Sequence, residues 1–398
     1  MAETSVGGRV QPGWEPVCEA FEHNMASGEE IGAAVAIRHR GREVAHLWAG
    51  AHDGSGDRVY DDRTLQLVFS TTKGVTAIAV AMCVERELLD YDAKVATYWP
   101  EFAEHGKGEA TVAQLLSHQC GLFTVDGDID LADALDWGTV CARLAATAPD
   151  WPMGTGHGYH ALSYGWLAGE LIRRVDPAGR TPGRFVADEI TGPLGLELWI
   201  GLPEDLEERV APIIGNLLDF DAAESADPAL QAMLQQFFGP GSRAMRALTL
   251  SGAFSVDGAF NRRDVHAAEI PAANAITNAA SLAKLYAATL APVDGVQLLG
   301  DDVRDRARAT VTPDGEPDLC LMMPTTFGMG FMTHGMFTPY AGEGSYGHPG
   351  AGGSVAFAQP ERELAFGYTM NKMATNLAGD VRAQRLIDAA VSVIDGTG

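Results

Sequence analysis

Ser70 and Lys73, in the stretch "LVFSTTKGVTAIAVAMCVE" from Leu67 to Glu85, stand where a strand-like run gives way to an apolar helical one. Residues three apart on a helix are neighbours on one face. If Ser70 occupies the helix N-terminus, its oxygen sits in the positive field of the unpaired N–H groups. That field, with partial burial, disfavours the ammonium and moves a lysine from ~10.4 towards ~7–8. A neutral lysine accepts the serine proton and so makes the serine a nucleophile. The backbone N–H of Ser70, free of an intrahelical acceptor, is suited to holding an oxyanion. Ser-x-x-Lys is a short pattern, and the chain carries a second copy, Ser281-Leu282-Ala283-Lys284. Either copy alone reads as an N-cap serine followed by a solvated lysine. Context separates them: Ser281 lies within an ordinary amphipathic pattern, whereas Ser70 follows strand-like residues and opens a long apolar run.

Three more stretches accompany Ser70: "TVAQLLSHQCGL" (Thr111 to Leu122), "YHALSYGWLAGELIRR" from Tyr159, and "GHPGAGGS" (Gly347 to Ser354). In that order, Ser70-Thr71-Thr72-Lys73, Tyr159 and His348-Pro349-Gly350 resemble the three motifs of the serine β-lactamase and penicillin-binding-protein superfamily. The likeness is to its class C β-lactamase-like branch and, within that, to the family VIII carboxylesterases. The motifs run from Leu67 to Asn371, most of the chain. The resemblance implies that Ser70 is the nucleophile, Lys73 its proton acceptor or electrostatic partner, and Tyr159 a proton carrier to the leaving group. Tyr164 is the rival tyrosine, but "GHGYHA" rather than "LSYGW" matches the motif position. The resemblance further places His348 and Gly350 on a strand flanking the substrate cleft, with Ala351 supplying an oxyanion N–H beside that of Ser70. His348 could serve as a pocket-lining residue or as a triad base. No cofactor or metal is implied.

Two departures from the family pattern bear on substrate. Its Tyr-x-Asn triplet is here Tyr159-His160-Ala161, so Ala161 replaces an amide that contacts lactam or peptide substrates. Its Lys-Thr-Gly is His348-Pro349-Gly350, and Pro349 has neither a hydroxyl nor an N–H. Losing partners for a substrate's polar groups weakens discrimination in its favour. Both changes point from lactams towards short-chain carboxylic esters, with β-lactamase or D-amino-acid peptidase activity as the alternative. A catalytically silent binding or scaffold protein is a third reading, which the retention of Ser70, Lys73 and Tyr159 disfavours.

The elements that must position these residues follow from pattern. "GAAVAIRHRGREVAHLWAG" (Gly32 to Gly50) reads as a hairpin, and "GSVAFAQPERELAFGYTMN" as two strands around "QPERE". Lys73 to Asp90, "ATVAQLLSHQCGLFT", "YGWLAGELIRRV", "NAASLAKLYAATLA" and "AGDVRAQRLIDAAVSVI" read as helices. Strands at both ends and helices between predict an α/β protein of α+β type: an antiparallel sheet flanked by helices, with an inserted mainly helical region. In residue terms, 1–75 with 275–398 form the α/β domain and 76–274 the mainly helical region with the pocket loops. The stretch from Asp219 to Val265 shows no clear pattern.

Composition narrows the classes. Acidic residues outnumber basic ones by 53 to 28, a net charge of −25, which repels nucleic acid and anionic membranes. No apolar run approaches the ~20 residues of a spanning helix, and "MAETSVGGRVQP" lacks a signal-peptide pattern. Five scattered cysteines without CxxC spacing fit reduced thiols and a cytoplasmic setting. No G-x-S-x-G elbow occurs. His105, His118, His157 and His160 lack metal-ligand spacing, with His118 expected in a structural turn, and Asp126, Asp128 and Asp130 lack the glutamate that would complete a calcium loop.

Overall fold

The computed structural model describes residues 5–216, 238–313, 315–374 and 379–396. Among these residues the strands are β1 (Gly7–Val10), β2 (Gly32–His39), β3 (Arg42–Gly50), β4 (Leu65–Leu67), β5 (Leu198–Trp199), β6 (Val210–Ala211), β7 (Ile276–Thr277), β8 (Met332–Thr333), β9 (Tyr346–Pro349), β10 (Val355–Gln359) and β11 (Leu364–Met370). Seven of them form an antiparallel sheet in the order β1-β3-β2-β11-β10-β9-β8. Both ends of the chain meet where β2 pairs with β11, Val35 opposite Tyr368.

Alternation along β2 explains what covers each face. Val35 and Ile37 share an apolar cluster with Val17 and Phe21 of helix α1 (Glu15–Ala26) and with Leu386 and Ile387 of the helix Val381–Gly396. Ala34 and Ala36 face Ala279 and Ala283 of the helix Ala279–Leu290. Small residues on that face admit close approach: a Cβ on Gly367 of β11 would strike the Ala279 carbonyl. Helix α2 (Thr71–Glu85) is buried from Thr71 to Cys83, as expected for a helix apolar on every side. It packs against the helix Ser163–Val175 and against β9 and β10.

The structure adds detail that the sequence pattern did not carry. β4, the strand that leads into Ser70, belongs to a separate four-stranded sheet, β5-β7-β4-β6, in which β4 and β6 run parallel. The helix expected across "ATVAQLLSHQCGLFT" is only Val112–Leu116; a Thr111–Gln114 capping box starts it, and left-handed His118 (φ +63) prevents its continuation. The division expected at residue 75 falls inside α2. The patternless stretch contains a helix at Arg243–Thr249, and its residues 219–237 lie outside the described ones.

Candidate active site

β4 ends at Leu67, and two residues later Phe69 takes φ +44. A bulky side chain in that left-handed region costs about 1–3 kcal/mol. The turn makes Ser70 the residue that caps α2, yet its hydroxyl makes no capping bond. Instead Ser70 Oγ lies 3.1 Å from Lys73 Nζ, and Ser70 exerts a downward pull on the Tyr159 phenol.

Lys73 is completely buried, and its Nζ also lies 2.6 Å from the Ala161 carbonyl and 3.0 Å from that of Ala272. Burial, with no carboxylate set against it, holds its pKa well below the ordinary lysine range. A neutral amine has two N–H groups and one lone pair. The two carbonyls take the N–H groups, and the lone pair remains for the Ser70 hydroxyl proton. The rings of Tyr159 and Tyr164 lie 4.8 and 6.0 Å from Nζ and favour the ammonium once a proton has arrived.

Tyr159 is fixed through its backbone. Its N–H donates to Asp318 Oδ1 at 3.0 Å, an oxygen that also accepts the N–H groups of Cys320 and Leu321, each at 2.8 Å. Thr325 Oγ1 donates to Asp318 Oδ2 at 2.9 Å. Burial pushes the Tyr159 phenol up against the opposing pull of Ser70, so the group stays protonated at neutral pH. Tyr164, the rival, has a buried hydroxyl without a partner among the described residues.

The second wall is the turn after β9. Ser354 Oγ donates to the Val68 carbonyl at 2.8 Å and lies 3.2 Å from Thr71 Oγ1, stitching this turn to both sides of Ser70. Gly350 sits so close to Val68 and Ser354 that a Cβ has no room. Arg382 Nη2 donates to the Gly352 carbonyl at 2.7 Å, with its charge balanced by Asp380 at 2.6 Å and Glu30 at 3.0 Å. Ala351 thereby lines the same 610 Å³ cavity as Ser70 and Ala161. Neither the Ser70 nor the Ala351 N–H has a backbone acceptor among the described residues.

His348 and Gly350, expected at the substrate surface, do not line that cavity. His348 is buried, its Nδ1 lies 2.7 Å from the Pro349 carbonyl, and its ring stacks on Tyr159 with centroids 5.8 Å apart. Burial, with Lys73 nearby, brings its pKa down to about 3. It makes no hydrogen bond to Ser70, so its place is behind Tyr159 rather than in a triad. The second Ser-x-x-Lys copy is divided: Ser281 Oγ accepts the Glu197 N–H at 2.9 Å, while Lys284 pairs with Asp294 at 2.6 Å. His160 Nε2 accepts the Leu122 N–H at 2.9 Å and His118 Nδ1 the His160 N–H at 3.1 Å, which ties the turn after Val112–Leu116 to the Tyr159 segment. Asp130 caps the helix Leu131–Leu135.

Sequence reasoning missed Ala272, Asp318, Thr71, Ser354 and Arg382. Ser354 closes the quoted "GHPGAGGS", Thr71 stands inside the Ser70–Lys73 motif and Arg382 inside the last helical stretch, but no role was read from them.

The profile of the beta-lactamase family matches residues 17–391. The chain is 33% identical to Esterase/beta-lactamase LipL of Mycobacterium tuberculosis (strain ATCC 25618 / H37Rv), over 97% of this chain and 89% of the relative. Among solved structures it is similar to a penicillin-binding protein homolog from Caulobacter crescentus, with TM-score 0.84 and 37% identity over 98% of this chain and 100% of that one. It is also similar to a family VIII carboxylesterase, with TM-score 0.85 and 32% identity over 98% and 100%. The expected α/β architecture and the expected kinship hold together: the chain belongs to the beta-lactamase family and is a hydrolase of the β-lactamase-fold serine superfamily.

Proposed function

We propose that this hydrolase is a carboxylesterase that cleaves short-chain esters through an acyl-enzyme on Ser70. The observation that carries the reading is the Ser70 hydroxyl 3.1 Å from the buried Lys73 amine, which itself lies 4.8 Å from the Tyr159 ring, at the wall of a cavity. Lys73 takes the proton as Ser70 Oγ bonds to the ester carbonyl carbon, and the N–H groups of Ser70 and Ala351 hold the resulting oxyanion. As the tetrahedral adduct collapses, the bond to the alcohol oxygen breaks, Tyr159 protonates that oxygen, and the Lys73 ammonium restores the phenol. Water then attacks the acyl-enzyme by the same steps in reverse order of roles, releasing the acid and free Ser70. No step calls for a cofactor or metal, and the partner is a small-molecule ester.

Ala161 offers the cavity only a methyl group and spends its carbonyl on Lys73. Pro349 is buried in β9, opposite Val355. Neither replaces the polar anchor that lactam recognition uses in the family. Five free cysteines, four of them buried, support a reducing compartment such as the cytoplasm. Among the described residues no helix is long and apolar enough to cross a membrane.

The test is the ratio of kcat/KM for p-nitrophenyl butyrate and nitrocefin. The ester is expected to win, and a wild type that favours nitrocefin would replace this reading with the β-lactamase one. Absence of any p-nitrophenol burst with p-nitrophenyl acetate would favour a silent binding protein.

A further inference from the structure

We infer that the cavity beside Ser70 takes an ester whose larger arm is apolar and bears no carboxylate, an inference that rests on the esterase reading above. The wall next to the nucleophile is aromatic. Phe69 and Phe260 meet edge to face with centroids 5.1 Å apart, and Phe254 stacks on Phe260 at 5.1 Å. Leu248, Ile213 and Met373 extend the apolar lining. Phe69 thus has two tasks: its left-handed backbone aims Ser70, and its ring forms part of the binding wall.

Two of the polar side chains that line the cavity are committed elsewhere. Asn261 exchanges two hydrogen bonds with the Ile213 backbone, at 2.8 and 2.9 Å. Thr249 Oγ1 donates to the Met245 carbonyl at 2.7 Å. Among the described residues no lysine, arginine or histidine lines the cavity, and the charge at its rim is exposed Asp257. Lys73 lies behind Ser70 with its hydrogen-bonding capacity used. A carboxylate entering this space loses hydration and finds no cation to replace it, and Asp257 repels it. An aryl or alkyl group gains burial and, if aromatic, offset or edge contacts with the phenylalanines. At 610 Å³ the cavity exceeds what a short acyl group fills, so a short acyl chain leaves room for a large alcohol.

The experiment uses two matched pairs on the full chain: 2-naphthyl butyrate against its carboxynaphthyl analogue, and p-nitrophenyl hexanoate against the p-nitrophenyl half-ester of adipic acid. The neutral member is expected to have the higher kcat/KM in both pairs, by about tenfold or more where that arm meets the aromatic wall. Ser255→Lys, at the exposed rim, should narrow the gap by raising the carboxylated rates. Phe260→Ala should lower the rate on naphthyl butyrate more than on methyl butyrate. Equal rates within about twofold in both pairs would overturn the inference, since a difference of one methylene already commands more. If no ester turns over, the esterase reading fails by itself. The same neutral and carboxylated arms, built as phosphonates and timed as they label Ser70, then still read the cavity.

Discussion

Lys73 decides the chemistry because of what surrounds its nitrogen. Two carbonyls and one hydroxyl, with no carboxylate, suit an amine that is neutral at rest and charged only in transit. Each of Lys73→Ala and Tyr159→Phe should lower kcat by on the order of 10²–10⁴, the usual worth of acid–base help. The double variant should be little worse than either, because the two act as one proton-handling unit. A loss in His348→Ala as large as in Lys73→Ala would move the base to the histidine. Neutral Lys73 is the active form, so kcat/KM should rise with pH through its pKa and level off above it. The limb should lie below the ordinary lysine value of ~10.4, in keeping with the downward shift from burial. A limb at or above that value would contradict the account. At this scale residue type and spacing were informative for Ser70, Lys73 and Tyr159. They pointed to Ala161 only as a missing amide, and were silent on the carbonyls of Ala161 and Ala272, which every residue possesses, and on Asp318, whose task is to hold the backbone of Tyr159.

At the scale of elements, the site is where two turns meet. One joins β4 to α2 through Phe69; the other follows β9 and is stitched to the first by Ser354. Ser354→Ala removes that stitch without touching substrate. It should lower kcat by about tenfold to 10²-fold through misplacement of the Ala351 N–H, with KM changed far less. Steady-state kinetics on p-nitrophenyl butyrate reads this split, and a change confined to KM would show that the turn serves binding instead. The sequence pattern revealed the hairpin β2–β3 and the pair β10–β11 because their strands are long enough to alternate. It concealed the small sheet, whose strands β5, β6 and β7 are two residues each and show no period. The positive φ of Phe69 was equally hidden, since phenylalanine is not a residue that signals a left-handed turn.

The whole molecule closes a sheet from its two ends and buries histidines around the site, which makes it sensitive to acid. His160 and His348 are brought down to about 3 by burial, from 6.5. Unfolded chains bind protons at these groups below pH 6.5 while the folded protein does not. Their stabilisation is therefore full above about 6.5 and is lost as pH falls towards 3. Glu30 acts oppositely: burial raises it from 4.5 to about 7, so its contribution is full below 4.5 and lost as pH rises through 7. Urea unfolding at ~0.15 M salt, where long-range surface repulsion is screened, should show stability falling from pH 6.5 downward and more steeply below 4.5. His348→Ala should reduce that slope by about one proton, ~1.4 kcal/mol per pH unit. An unchanged slope would mean that His348 is not buried as a neutral ring.

The central claim is that Ser70 carries the acyl group, and covalent labelling tests it most directly. Incubation with a p-nitrophenyl alkylphosphonate, followed by peptide mass spectrometry, should find one adduct per chain on the peptide containing Ser70, with activity lost in proportion. Labelling should disappear in Ser70→Ala and slow strongly in Lys73→Ala. An adduct on Ser281, or full esterase activity in Ser70→Ala, would contradict the account.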